Sequence, residues 1–269
     1  MSAASPQPSP VRPMYRIPLT HLVAFGTRLL LGRRRSFTRD AESIMRANLR
    51  YPRRVEGLGN AATDRTCIVV MNHYSRAGLR PYHCAMAVTA AMASVRAGKP
   101  EMRWVFTSEY LGLHIGPVPI PLWLIRWTFR RVALVYDFIV LARREELVMG
   151  RAAALRRITK LLALAPIGLT PEGLLASGVL VRPPAGSGAF LASIAGRAAP
   201  LQPVGVWEED DATLVIRFGE PFLLELPAGL PRAERDRVAS DHVMVAIGRL
   251  LPPAYRGVYA DAIAGADTA

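Results

Sequence analysis

The chain has 269 residues, enough for one large α/β domain or two small ones, and a hydrophobic fraction of 51% supplies a sizeable core. Its net charge of +13, carried almost entirely by arginine, favours polyanionic partners. An anionic membrane surface fits better than nucleic acid, because the arginines are scattered and no nucleic-acid-binding motif interleaves them with aromatic residues.

The ends of the chain and its cysteines indicate the compartment. Residues 1–14 are rich in Ser, Pro and Ala and are predicted to be a disordered leader. They lack the charged and apolar regions of a secretory signal, which favours the cytoplasm. Cys67 and Cys84 are the only cysteines, and their apolar surroundings favour buried thiols over a disulfide. Residues 263–269 are predicted to be a flexible tail.

Residues 15–36 are predicted to form an amphipathic helix. The segment is mostly apolar, but it is too short to cross a bilayer, and Arg28 would lie inside the span. Three consecutive arginines, residues 33–35, follow it. Two interpretations stay open. Either the helix lies in the membrane interface at the cytoplasmic face with its arginines at headgroup level, or it packs on its own domain.

Strands alternate with helices over residues 37–262, which predicts one α/β domain. The apolar patterns predict helices over residues 37–54, 81–96, 145–164, 189–195 and 236–250. They predict strands over residues 67–71, 103–107, 132–136, 165–169, 201–206 and 214–218.

Residues 110–142 are the most apolar part of the chain. A Gly/Pro-rich stretch, residues 116–121, breaks any continuous helix, and a short segment from Leu122 to Phe129 stops at Arg130. Trp123 and Trp127 are four residues apart and would share a helix face. Such a face suits a membrane interface or an acyl-chain groove, and the alternative is that it belongs to the core.

Two apolar runs end in polar, turn-prone tips. The strand over residues 67–71 leads into Asn72 and His73, and the strand over residues 165–169 leads into Thr170-Pro171-Glu172-Gly173. In α/β folds, ligands and catalytic groups collect at the carboxyl ends of strands. The two tips therefore predict one site.

The tips resemble sequence blocks of the glycerolipid acyltransferase family, which includes the lysophosphatidate acyltransferases. Residues 72–78 are similar to the family's first block, N-H-x-x-x-x-D, and residues 170–175 to its third, F-P-E-G-T-R. Two weaker blocks follow in order, over residues 199–206 and 216–221. The resemblance spans residues 40–260. It implies a mixed, largely parallel sheet with helices on both faces, and transfer of an acyl group from a thioester to a hydroxyl of a lipid acceptor.

The resemblance implies that His73 is the general base. An imidazole has an ordinary pKa of about 6.5, which suits removal of a proton from the acceptor hydroxyl. The family's Asp, five residues after the base, orients this ring, and Gly78 stands in its place here. Glu109, which follows the predicted strand over residues 103–107, is the candidate replacement. A backbone carbonyl is the alternative.

The arginines that contact phosphate in the family are also replaced. Leu175 stands at that position of the third block, and Phe138 at that of the middle block. Arg76 and Arg80 are the candidates to supply positive charge to the acceptor head group. The departures favour an acceptor other than glycerol phosphate.

Asn72, Glu172 and Gly173 complete the predicted substrate-binding set. Glu172 would bond an acceptor hydroxyl or hold its loop through backbone N–H groups. Gly173 would permit a tight turn or close approach of a ligand. The cysteines and histidines lack metal-ligand spacing, so no metal is expected. The expected co-substrate is a thioester of coenzyme A or of acyl carrier protein.

Two hypotheses follow from these residues. The first is a peripheral-membrane O-acyltransferase with His73 as its base. The second is a lipid-binding or interaction protein that keeps the fold without turnover, because Gly78, Phe138 and Leu175 all replace functional residues. A carboxylate within hydrogen-bond reach of the His73 ring would favour the enzyme. A ring that faces only apolar groups would favour the binding protein.

Overall fold

The computed structural model describes most of the chain. The described residues are 12–63, 66–107, 114–115, 117–141, 147–173, 178–196 and 199–266. Glu109, Leu175 and most of the predicted leader lie outside them.

Helices and strands alternate through most of the described chain. The helices are α1 (Leu19–Leu31), α2 (Phe37–Ala47), α3 (Pro81–Val95), α4 (Leu122–Tyr136), α5 (Leu147–Leu162), α6 (Ser187–Ala195), α7 (Arg232–Gly248) and α8 (Ala260–Ala266). The strands are β1 (Arg53–Glu56), β2 (Ile68–Met71), β3 (Arg103–Thr107), β4 (His114–Ile115), β5 (Val118–Pro119), β6 (Ile139–Leu141), β7 (Ile167–Leu169), β8 (Leu201–Glu208) and β9 (Leu214–Phe218).

A seven-stranded sheet organises the fold in the order β1-β9-β8-β2-β7-β3-β6. All neighbouring strands are parallel except β8 and β9, which form an antiparallel pair. Every residue of β2 and of β8 is buried, as expected for parallel strands covered on both faces. The α/β class with a mixed, largely parallel sheet is confirmed.

Two helical layers cover the sheet, and β2 supplies side chains to both. Val69 and Met71 pack in a core with residues of α2, α3 and α4. Ile68 and Val70 point the other way, into a core with residues of α5, α6 and α7. This alternation follows from the two-residue period of a strand, and it fixes the point at which the chain leaves the sheet after Met71.

The predicted strand over residues 132–136 is wrong, because these residues form the second half of α4. The helix continues past Arg130, whose side chain is exposed and does not interrupt it. It ends where Asp137 adopts φ +55° and the N–H of Phe138 bonds to the carbonyl of Ala133 at 2.9 Å. The strand of this region is β6, which begins at Ile139.

The predicted tail starts inside α8, where Ile263 is buried.

An extended segment, the N-terminal strap (residues 12–17), crosses the molecule before α1. The N–H of Tyr15 donates to the carbonyl of Gly78 at 2.8 Å. The side chain of Asn48 accepts from the N–H of Arg16 at 3.0 Å and donates to its carbonyl at 2.8 Å. α1 follows, with no buried residue, beside α4. None of the described helices is long and apolar enough to cross a bilayer.

Candidate active site

The two polar tips lie side by side. β2 and β7 are parallel neighbours, with Val70 opposite Leu169, so the chain leaves both strands at the same edge of the sheet. The N–H of His73 donates to Oε2 of Glu172 at 2.5 Å. The expected proximity of the tips is confirmed, and it rests on a direct bond between the two sequence blocks.

Glu172 is a buried carboxyl held by backbone donors. Its second oxygen, Oε1, accepts from the N–H of Val181 at 3.0 Å, so the side chain links the β2 tip to a later loop. Burial raises the pKa of Glu172 to about 7, although the two N–H donors act in the opposite direction. Gly173 closes the turn that carries it, with φ +74° and an N–H bond to the Thr170 carbonyl at 3.2 Å. The positive φ explains the glycine.

The His73 ring is neutral at physiological pH. Burial lowers the pKa of His73 to about 4, because the charged form loses hydration. Its Nδ1 atom is buried and has no hydrogen-bond partner within the described parts of the chain. A neutral imidazole is able to accept a proton, but no described carboxylate orients this ring. Glu109, the predicted orienting acid, lies outside the described residues.

Gly78 occupies a turn that requires glycine. Arg76 and Leu79 exchange backbone hydrogen bonds of 3.0 and 3.1 Å, and Gly78 between them adopts φ +81°. A Cβ at Gly78 would lie 2.8 Å from Cγ and 3.0 Å from Cα of Met14. The N-terminal strap therefore covers the position at which the resembling family has its Asp.

Arg76 and Asn72 are bonded within the fold. The Arg76 guanidinium binds both carboxylate oxygens of Glu208, whose side chain is fully buried, and only 12% of the Arg76 side chain is exposed. The Asn72 amide donates to the Val206 carbonyl at 2.8 Å and accepts from the Val206 N–H at 2.7 Å. Both side chains join the end of β2 to β8, instead of facing an open site.

Arg80 differs from Arg76 because it is exposed. It precedes α3, and its N–H donates to Nδ1 of His83 at 3.0 Å. Among the predicted positive groups, Arg80 is thus available to a ligand. Phe138, at the family's other arginine position, lies in the core. No group of three or more described His, Cys, Asp or Glu residues could hold a metal ion.

Sequence reasoning missed Glu208, the buried partner of Arg76. The residue ends an apolar strand whose last residues are Val204-Gly205-Val206-Trp207-Glu208. The rule that selected Glu172, a carboxylate at the end of a buried strand, would have found it. Tyr74 belongs to the same cluster, because its hydroxyl donates to Oε2 of Glu208 at 3.3 Å.

Comparisons with known proteins find similarity of structure but not of sequence. No protein-family model matches the chain, and no curated protein matches its sequence. The fold is similar to the crystal structure of the 1-acyl-sn-glycerophosphate (LPA) acyltransferase PlsC from Thermotoga maritima. The identity is 16% and the TM-score 0.43, over 81% of this chain and 84% of that one. This similarity is one of fold, and it does not establish what the chain does.

Proposed function

We propose that the protein transfers a fatty acyl group from an acyl thioester to a hydroxyl of a lipid acceptor, with His73 as the general base. The observation that supports this most is the meeting of the His73 and Glu172 tips at the carboxyl edge of two adjacent parallel strands. That edge is where α/β folds gather reactive groups. It carries a neutral imidazole beside a carboxyl whose pKa is close to 7.

In the proposed reaction His73 removes the proton of the acceptor hydroxyl while the hydroxyl oxygen attacks the thioester carbonyl. The same proton then goes to the departing thiolate. A pKa of about 4 is low for a base that works at neutral pH. A carboxylate at Nδ1 would raise it and fix the tautomer. We assign that role to Glu109, which follows the end of β3 at Thr107 by two residues. Glu109→Gln should then lower the turnover number.

The other predicted site residues take separate roles in this proposal. Glu172 and Gly173 shape the wall beside the base, and Glu172 holds the backbone of His73 in place. Asn72 and Arg76 act as positioning residues, because their polar atoms are bonded to β8. Arg80 is left to face the acceptor head group.

We also propose that α1 and α4 dock the protein on an anionic bilayer. Their exposed apolar side chains include Leu30 at 68% and Trp123 at 68% exposure, and Arg28 lies in the last turn of α1. Such a mixture suits the membrane interface. In vesicle sedimentation, Leu30→Ser and Trp123→Ser should each weaken binding to anionic vesicles. Leu164→Ser, a change at a residue 61% exposed after α5, is the matched control.

A second candidate function is lipid binding without turnover. The Nδ1 atom of His73, which has no partner among the described residues, favours it, and so does the glycine-requiring turn at Gly78 in place of the family's acid. Under this proposal the same surfaces bind a lipid, but no group activates its hydroxyl.

Acyl transfer from labelled acyl-CoA and acyl carrier protein to a panel of lysolipids and lipid alcohols distinguishes the two candidates. The enzyme hypothesis predicts a product with the wild type and its loss in His73→Ala, while thermal unfolding shows that the variant is folded. Lipid binding without product from either donor would contradict it and support the binding protein.

A further inference from the structure

A basic groove opens beside the N-terminal strap. Its volume is about 520 Å³, within the size range of small-molecule sites. Three arginines, one from each end of the strap and one before β1, line it together with residues of the β8–β9 hairpin. The charged and aromatic residues that line the groove are Arg12, Arg16, Arg50, Tyr51 and Asp211.

The groove carries an excess of positive charge. None of the described carboxylates lies within ion-pair distance of Arg16 or Arg50, and the Arg50 guanidinium rests 4.8 Å from the centre of the Tyr51 ring. Arg12 is 3.9 Å from Glu208, whose oxygens Arg76 already binds. The acid on the wall, Asp211, accepts from the Thr213 N–H at 2.8 Å. The groove therefore suits an anionic ligand.

The groove lies at the same edge of the sheet as His73. β8 is parallel to β2, so the β8–β9 hairpin with Asp211 is at the edge where β2 ends. β1 is parallel to β9 and therefore begins at that edge, just after Arg50. Three strand spacings separate β1 from β2, which corresponds to about 14 Å. The strap is held by its bonds to Gly78 and Asn48, so Arg16 is placed before any ligand arrives.

We propose that this groove binds the phosphate groups at the nucleotide end of a coenzyme A thioester. The inference rests on the proposed function, in which the thioester is the acyl donor. Arginine forks match phosphate oxygens in charge and geometry. A phosphate only a few bonds from a hydroxyl held at His73 would not span the three strand spacings, about 14 Å, that separate β2 from the Arg50 end of the groove. Coenzyme A separates its phosphates from its thioester by a long extended arm, and so fits that separation.

Calorimetric titration tests the groove without any need for turnover. The ligands are coenzyme A, adenosine 3′,5′-bisphosphate, pantetheine, glycerol 3-phosphate and inorganic phosphate. We expect coenzyme A and the bisphosphate to bind, with an affinity that falls as salt is added. The double variant Arg16→Gln/Arg50→Gln should weaken both by at least about tenfold. Arg16→Lys/Arg50→Lys should recover part of the loss, because it keeps the charge.

The matched control is Arg235→Gln, which removes the same charge from an exposed position on α7, a helix of the opposite core. It should leave the affinity unchanged. The proposal is overturned if the double variant binds coenzyme A as the wild type does. It is also overturned if pantetheine binds as tightly as coenzyme A, or if Arg235→Gln weakens binding as much as the double variant. Binding of glycerol 3-phosphate or inorganic phosphate as tight as that of the bisphosphate would overturn it too.

Kinetics separate failure of the groove from failure of the proposed function. With acyl-CoA as donor, the double variant should raise KM at least about tenfold, whereas transfer from acyl-pantetheine should not change. Turnover with an unchanged KM for acyl-CoA, or turnover with acyl carrier protein alone, would overturn the groove and leave the activity. Arginine-dependent binding of coenzyme A without acyl transfer would support the groove and contradict the activity.

Discussion

Two buried glutamates flank the end of β2, and they have different partners. Glu208 ends β8 on one side of β2, and Glu172 follows β7 on the other. Both side chains are almost completely buried. The Arg76 guanidinium donates two hydrogen bonds to Glu208, whereas Glu172 accepts from the backbone N–H groups of His73 and Val181. The residue type and the burial are alike, so the partner distinguishes them.

This difference in bonding partners divides the carboxyl edge of the sheet around β2 into two parts. A carboxylate paired with arginine in the interior joins parts of the fold, as Glu208 joins the turn after β2 to β8. A carboxyl held by neutral donors is free to gain or lose a proton, and burial raises the pKa of Glu172 to about 7. We therefore place structural bonding on the β8 side of β2 and the chemistry on its β7 side.

The largest expected effect is that of Arg76→Ala. The variant leaves the Glu208 carboxylate buried without its main cation, which should lower the free energy of unfolding by about 3–5 kcal/mol. Urea denaturation at pH 7 measures it. The double variant Arg76→Met/Glu208→Gln should lose less, because neither partner is left charged. If Arg76→Ala kept full stability and instead raised KM for the acceptor, Arg76 would be a head-group ligand and the division would be wrong.

Glu172→Gln should change how stability depends on pH. The folded pKa of about 7 exceeds the ordinary value of 4.5, so the folded state binds the proton more tightly. The contribution of Glu172 is therefore fully present below pH 4.5 and is lost as the pH rises through 7. The difference in unfolding free energy, wild type minus variant, should fall by about 3 kcal/mol across that window. Glu234→Gln, at an exposed position on α7, should give no such fall. A flat difference for Glu172→Gln would mean that burial does not raise the pKa of the carboxyl above its ordinary value.

Gly78→Asp should destabilise the protein without improving it as a catalyst. The backbone there has φ +81°, and the new Cβ would collide with Met14 of the strap. A cost of about 1–3 kcal/mol is expected in urea denaturation. Acyl-transfer rates measured beside the wild type give the second readout. A faster, equally stable variant would show that the strap moves to make room for the new side chain and that the family's acid fits this turn.

The smallest effect is expected for Tyr74→Phe. The change removes one hydrogen bond of 3.3 Å to Glu208, while the Arg76 pair persists. A loss of about 0.5–1.5 kcal/mol is expected in urea denaturation at pH 7. A loss as large as that of Arg76→Ala would mean that the hydroxyl contributes as much as the guanidinium to holding Glu208 in place.

The sequence was sufficient for the strands that lead into the two tips, but not for the bonding partners of the tip residues. Buried parallel strands are continuous apolar runs, so β2 was predicted to within one residue and β3 at its observed bounds. Local pattern does not show which distant strand becomes a neighbour. The bonds of Arg76 and Asn72 to β8 were missed for that reason, because their partners come more than a hundred residues later. The second half of α4 was missed because its Val-rich, aromatic sequence also suits a strand.

The most direct test of His73 as the base compares it with His83. Burial lowers the pKa of both rings to about 4, and both residues follow β2 in the chain. They differ in position, because His73 lies at the tip of β2 and His83 lies in α3. His83→Asn keeps an acceptor for the Arg80 N–H. In acyl transfer to the lipid panel, His73→Ala should lose at least about a hundredfold in rate, whereas His83→Asn should remain close to the wild type. Equal rates in both variants, or wild-type transfer by His73→Ala, would contradict the account.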